Sequence, residues 1–487
     1  PFLISPDREP FLYDRLAATC GRYQSRLVDL GVKPGDRVMV QVDKSPEAVV
    51  LYLACLRAGA IYIPLNTAYT ANELEYFIQD SAPKLLVCRP QELDQLKSLA
   101  TQLEVPQVHS LGAAGDGSLV EGIEAQDTEP EIAFMSGDDL AAILYTSGTT
   151  GRSKGAMLTH ANLQSNAEAL HSYWQWDDDN DVLLHALPVF HVHGLFVGLH
   201  CALLGGSPVH FLPKFEPALI IEKLPESTVM MGVPTFYTRL LDTPEFTRDT
   251  CRNMRLFTAG SAPLLAETHQ QFEERTGHCI LERYGMTEAG MIASNPYDGE
   301  RMAGTIGYAL PDIQVRIADD NGVECPRGET GVLEVRGPNV FKGYWEMPDK
   351  TAAEFREGGW FISGDLATMG DDGRITIVGR AKDLIISGGY NVYPKEIERE
   401  IDAIEGIRES AVIGIPHRDF GEGVTAIVVL DGSRPLTEDD IKSSLTARLA
   451  NFKQPKKVYF VEELPRNTMG KVQKAGLRNT YALACKS

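Results

Sequence analysis

The sequence is short of cations. It has 46 lysines and arginines against 67 aspartates and glutamates over 487 residues, a formal net charge of −21. That balance argues against nucleic acid as a partner, because a phosphate backbone needs a basic face. Long apolar runs are missing as well, and a membrane-spanning helix needs roughly 18 such residues. The longest stretch, AVVLYLACLRAGAIYIPL, is broken by Arg57, Gly59 and Pro64, so no membrane partner is expected. The cysteines at 20, 55, 88, 201, 251, 279, 325 and 485 form no C-x-x-C pair and no regular spacing. Such usage points to a reducing compartment, the cytoplasm. There is no internal repeat, no low-complexity tract and no Walker A loop.

What charge there is lies unevenly. Residues 381–487 hold 16 basic and 15 acidic side chains, a net +1, which leaves −22 on residues 1–380. An anionic substrate must therefore be held by local cations and not by the overall field. The chain is also too long for one core, since single cores rarely exceed about 250–300 residues.

Local signals read as mixed α and β. SPEAVVLYLACLRAG offers Ser45 as N-cap, Pro46 at the first helical position and Gly59 at the end. Thr70 and Glu73 have capping-box spacing. LAAILYT (140–146) is a buried-strand pattern ending in a turn cluster. Between about 300 and 380 the pattern shortens to strands separated by Gly, Pro and Asp turns. After GRAKDLIISGGY (379–390) come two helices and two strands, enough for a small α+β domain of about 100 residues.

The richest chemistry lies in YTSGTTGRSKGAMLTH (145–160). Thr146, Ser147, Thr149 and Thr150 supply hydroxyls, Gly148, Gly151 and Gly155 let backbone N–H groups come close, and Lys154 neutralises. That is phosphate-cradling chemistry. In ERYGMTE (282–288), Glu288 suits Mg²⁺ and Tyr284 a base, while ion pairing with Arg283 and a core tyrosine are the bland alternative. Asp365 in FISGDL sits at an expected turn after a strand, where it either accepts from ribose hydroxyls or caps the turn. Lys471 in LPRNTMGKVQK is a loop lysine, and solvation alone would explain it. His191 and His193 lack accompanying ligands, which favours a pocket or core role over zinc.

Taken in order, these stretches resemble the adenylate-forming superfamily of acyl-CoA synthetases, luciferases and peptide-synthetase adenylation domains. Intervening runs such as PLNTAYT, MGVPTFYTRLL and GEGVTAIVV more specifically resemble bacterial malonate–CoA ligases. The resemblance implies a mixed α/β fold with an adenylation domain over 1–379, a hinge over 380–383 pivoting at Lys382, and a mobile domain over 384–487. It implies ATP, Mg²⁺ and coenzyme A as cosubstrates, and malonate as the acid, with methylmalonate also accommodated.

The same resemblance distributes the roles. Thr146, Ser147, Gly148, Thr149, Thr150, Gly151 and Lys154 would hold the ATP phosphates. Gly260, Ser261, Ala262, Pro263, Tyr284, Gly285 and Met286 would enclose the adenine, and Asp365 and Arg380 would bind the ribose. Glu288, with Thr150, would hold Mg²⁺; Thr287 and Glu288 would act beside Lys471, the catalytic lysine. Gly388, Gly389 and Tyr390 would build the thiol tunnel. Many relatives are acetylated at the lysine of a PKTxSGK form, which makes a lysine acetyltransferase a candidate partner for Lys471, although PRNTMGK departs from that form.

Arg283 then has a specific reading. Neighbours on an extended strand point opposite ways, so if Tyr284 faces the adenine, Arg283 projects toward the acid. There a guanidinium pairs bidentately with a second carboxylate, with Ser261 and His193 as helpers. Gly285 is expected to leave room for a short acid. A longer diacid or a monocarboxylate is the alternative substrate.

Overall fold

The computed structural model describes residues 1–146, 153–387, 390–417, 421–446 and 448–484. It has two compact units. One comprises Pro1–Gln314 with Val335–Phe361, the other Val315–Glu334 with Ile362–Ser487. The mixed α/β class expected from the sequence is observed. Among the described residues, no helix is long and apolar enough to cross a membrane.

The first unit holds two large sheets. An eight-stranded sheet runs Leu3–Ile4, Val209–Phe211, Leu183–His185, Val229–Gly232, Leu256–Ala259, Leu281–Met286, Gly290–Ser294 and Tyr308–Ala309. Its first six strands are parallel and the rest antiparallel. A seven-stranded sheet places Lys154–Thr159 antiparallel to Leu140–Thr146, so that Thr146 pairs with Lys154 across the loop start. The helix signals act locally as expected. Ser45 Oγ accepts from Ala48 N at 3.1 Å above the helix Pro46–Arg57. Glu73 Oε2 accepts from the backbone and hydroxyl of Thr70 at 2.8 and 2.9 Å.

In the second unit, Asp365–Met369 of the strand Trp360–Met369 pair antiparallel with Ile375–Arg380. The FISGDL expectation is corrected here: Asp365 is not at a turn but inside this ten-residue strand, directly opposite Arg380. Gly364, with φ +71°, supplied the misleading signal by kinking the strand without ending it. A further sheet joins Tyr390–Val392, Ile385–Ser387, Gly421–Leu430 and Ile407–His417, with Lys457–Phe460 added beside Gly421–Leu430. Helix Pro394–Asp402 covers it, its Ile397 and Ile401 fully buried.

Asp402, at the end of that helix, accepts from Ser410 Oγ at 2.7 Å, and burial pushes its carboxyl up to about 7. The folded chain thus holds this proton more tightly than the unfolded one. Its contribution to stability is largest at acid pH and is lost as pH rises from the ordinary carboxylate range through about 7. Asp402→Asn should remove that loss. Urea unfolding should show the variant more stable than wild type by about 2 kcal/mol at pH 8, a gap that closes near pH 4.

Candidate active site

Parallel α/β sheets bind ligands outside the carboxyl ends of their strands, and there the eight-stranded sheet gathers its polar residues. Gly260 and Ser261 follow the strand Leu256–Ala259, Arg283 lies on Leu281–Met286 beside it, and His185 ends Leu183–His185. A π-helical turn, His193–Gly198, brings His193 into the same region. π turns recur at functional sites. Ser261 has φ +68°, an uncommon left-handed conformation for a serine, and its Oγ lies 3.3 Å from His193 Nδ1.

Arg283 is 3% exposed, and burial lowers its guanidinium to about 9. Its Nε and Nη2 are both buried without a hydrogen-bond partner. These two nitrogens form one edge of the guanidinium fork, the edge whose parallel N–H bonds match a carboxylate. The other end is seated by Gly260, where a Cβ would fall 2.1 Å from Nη1. A buried cation with an unpaired bidentate edge is costly unless an anion completes it. Neutral groups surround it. Burial first, and then Arg283, hold the His193 imidazole well below its usual range and push His191 down to about 4.

Gly285 works differently from the sequence expectation. A Cβ there would meet Gly290 O at 2.2 Å and Met291 Cε at 2.3 Å. The space belongs to the antiparallel neighbour across a bulge between Tyr284 and Gly285, not to the acid. Sequence reasoning also passed over Lys44, whose Nζ donates to His185 Nδ1 at 2.8 Å and to His185 O at 2.9 Å. His185 Nε2 in turn donates to Gly194 O at 2.9 Å, which fixes the neutral tautomer. The two residues are 141 positions apart, so no local pattern joins them.

A second cluster carries the expected phosphate and magnesium residues. Lys154 is buried, with Nζ 3.2 Å from Glu354 Oε1 and 4.1 Å from the centre of the Tyr344 ring. Tyr344 Oη lies 3.0 Å from Glu288 Oε1 and 2.6 Å from Glu354 Oε2. Burial alone would raise the Glu354 carboxyl, but Lys350, Tyr344 and Lys154 outweigh it and hold it below its usual value. Neither Tyr344 nor Glu354 was singled out from the sequence. Thr146 is half-buried, its Oγ1 3.5 Å from Lys154 O. Ser147, Gly148, Thr149, Thr150 and Gly151 lie outside the described residues. Ala262, Tyr284, Met286 and Thr287 are partly exposed and Pro263 is exposed.

The remaining expected residues lie in the second unit. Arg380 Nε lies 2.6 Å from Asp365 Oδ1, and Asp365 is 3% exposed. Lys382 sits in a 3₁₀ turn, Ala381–Asp383, its ammonium lowered by burial. Lys471 stands in a loop tied by Asn467, whose Oδ1 accepts from Lys471 N at 2.9 Å. The residue as a whole is exposed, yet its ammonium is pushed down to about 8, by burial first and then by Arg380. Gly388 and Gly389 lie outside the described residues, and Tyr390 begins the strand Tyr390–Val392.

Residues 1–345 match the AMP-binding enzyme family, and residues 396–471 match the AMP-binding enzyme C-terminal domain. The chain belongs to the AMP-binding enzymes. This AMP-binding enzyme is 38% identical to the mitochondrial malonate–CoA ligase ACSF3 of Mus musculus, over 96% of its own length and 85% of the relative's. It is 36% identical to a feruloyl-CoA synthase of an Amycolatopsis species, over 96% and 94%. Among solved structures, ATP-bound MatB from Rhodopseudomonas palustris superposes with a TM-score of 0.97 at 53% identity, covering 99% of this chain and 95% of that one. The chain is an AMP-forming CoA ligase of this family.

Proposed function

We propose that this enzyme joins malonate to coenzyme A in two steps. One malonate carboxylate attacks the α-phosphorus of ATP, pyrophosphate leaves, and malonyl-adenylate forms. The thiol of coenzyme A then attacks the acyl carbon, and AMP leaves. The observation that carries the choice of acid is the unpaired Nε–Nη2 edge of Arg283. Relatives named malonate–CoA ligases, 38% identical in Mus musculus, support the same acid, beside a feruloyl-CoA synthase at 36%. A monocarboxylate would leave the buried guanidinium stranded, and sites built on polar pairing discriminate by about 10⁴–10⁵.

In this reading, Arg283 grips the distal carboxylate, with Ser261 and His193 beside it. Lys154 and the loop 146–151 hold the phosphates, and Gly260, Ser261, Ala262, Pro263, Tyr284, Gly285 and Met286 enclose the adenine. Asp365, oriented by Arg380, accepts from the ribose hydroxyls. Glu288 is a buried carboxylate whose oxygen already faces a hydroxyl donor, a hard oxygen ligand of the kind Mg²⁺ takes. Mg²⁺, when bound, neutralises phosphate charge; Glu288 would hold it, with Thr150 and Thr287 beside it. Lys471 stabilises the charge that concentrates at the α-phosphorus. Division at 1–379, 380–383 and 384–487, with a pivot at Lys382, lets Lys471 withdraw and Gly388, Gly389 and Tyr390 receive the thiol. A cytoplasmic location and acetylation of Lys471 complete the proposal; acetylation would remove the charge the first step needs.

Pyrophosphate release across acetate, propionate, malonate, methylmalonate, succinate, glutarate and ferulate tests the reading. Malonate should lead, and preference for any monoacid would overturn it. The Lys154–Glu354 pair adds a prediction, because ATP phosphates must compete with Glu354 for that ammonium. Glu354→Gln should lower KM for ATP about 3- to 5-fold, the worth of about 1 kcal/mol, with kcat for malonate little changed.

A further inference from the structure

On the first unit, away from the residues assigned above, the helix Ala266–Thr276 places His269 and Glu273 one turn apart on one face. The chain turns at Gly277, which caps the helix at φ +79°, and returns Cys279 to the same spot. Among the described residues, His269, Glu273 and Cys279 are the group whose nitrogen, oxygen and sulfur ligand atoms all lie within 4.8 Å of one another. His269 is 4% exposed, and its Nδ1 is buried with no hydrogen-bond partner. The acid facing that nitrogen is Glu282, with Oε1 3.6 Å away and a second tie to Gly304 N at 2.7 Å.

We propose that His269, Glu273 and Cys279 form a binding site for a divalent cation of borderline softness, Zn²⁺. The donor set is one imidazole, one carboxylate and one thiolate, which suits zinc and not magnesium or calcium. Metal-bound histidines commonly donate their second ring N–H to a carboxylate. Glu282 stands where that acceptor is needed, leaving the other nitrogen of His269 for the ion. Tetrahedral zinc wants ligand atoms roughly 3.5 Å apart, a contraction that the exposed Glu273 side chain can supply by rotation. The site opens on a surface cleft lined by Glu273, His278, Cys279, Glu300 and Arg301, which gives an ion an entry path.

The Arg248 guanidinium lies beside Gly277 at this rim, and Arg301 lines it. The Arg301 guanidinium donates to the carbonyls of Cys279 and Tyr297 at 2.8 and 3.0 Å, so its charge is directed onto backbone oxygens. The Cys279 thiol is raised to about 11, by burial and then by Glu273, and zinc would displace its proton on binding. Glu282 immediately precedes Arg283 and, on a strand, faces the opposite side. An ion here would therefore brace the strand that carries the substrate arginine from behind.

The test uses the full chain, stripped with chelator and titrated with Zn²⁺ by equilibrium dialysis, and with Co²⁺ by absorption, in excess Mg²⁺ and without ATP. One Zn²⁺ per chain and a thiolate-to-cobalt charge-transfer band are expected. Cys279→Ser and Glu273→Gln are partly exposed substitutions that should fold normally, a point checked by malonate-dependent pyrophosphate release. Each should weaken Zn²⁺ binding by about tenfold or more, and Cys279→Ser should abolish the cobalt band. Wild-type affinity in either variant, a band that survives Cys279→Ser, or no band at all overturns the proposal.

Discussion

Arg283→Ala is expected to cut kcat/KM for malonate by about 10³-fold or more while leaving ATP binding unchanged. The wild-type pocket holds a desolvated guanidinium with a bidentate edge open. In the alanine variant the distal carboxylate of malonate would enter a buried, cation-free pocket bordered by neutral histidines, losing its partner and keeping its desolvation cost. Acetate loses nothing comparable, so the ratio of malonate to acetate turnover should collapse. Arg283→Lys should fall between, because an ammonium offers a point charge and not a parallel pair of N–H bonds. A substrate panel with both variants measures this. A malonate-to-acetate ratio unchanged in Arg283→Ala would remove the basis for the choice of acid.

Lys471→Ala should separate the two half-reactions. Loss of one charged donor from a phosphoryl-transfer site costs about 10²–10³ in rate, and that loss should fall on pyrophosphate release. Thioester formation from supplied malonyl-adenylate should proceed at close to the wild-type rate, since no step there uses the lysine. Equal damage to both halves would sink the assignment. A pH dependence accompanies it. With the ammonium at about 8, the charged form is complete below that value and is lost as pH rises through it. The kcat/KM for ATP should therefore decline above about pH 8, the limb that reports the free enzyme. Lys471→Arg should be slower but should lack that limb, because a guanidinium does not titrate there.

Much of this was legible because the physics is local. Ser45 and Pro46 announce a helix start through the first turn's own donors, and LAAILYT is buried on both faces, so it reads as an apolar run. Strand periodicity alone sets Arg283 and Tyr284 as neighbours expected to point opposite ways, and both do lie on one strand, Leu281–Met286. Other features depend on distant partners. Glu354 reaches Lys154 across 200 residues, and no spacing rule connects an acid just past a short helix to a lysine at the start of a distant strand. Gly285 was misread because an absent side chain looks the same whether a ligand or a neighbouring strand takes its place. The helix Lys474–Ala484 also escaped notice. It is anchored by Lys474 Nζ on the buried Glu398 at 2.5 Å, a tertiary contact standing in for a sequence cap.

The seat that Gly260 provides for Arg283 has an evolutionary consequence. Replacing one hydrogen by a methyl at residue 260 would evict the guanidinium without altering the arginine or touching the acid. Preference for the acid in such a pocket can drift through a position that does not touch the acid. Surveys that score relatives only by whether the arginine is present would then group enzymes of different specificity. The glycine and the arginine are better read as a single two-residue character.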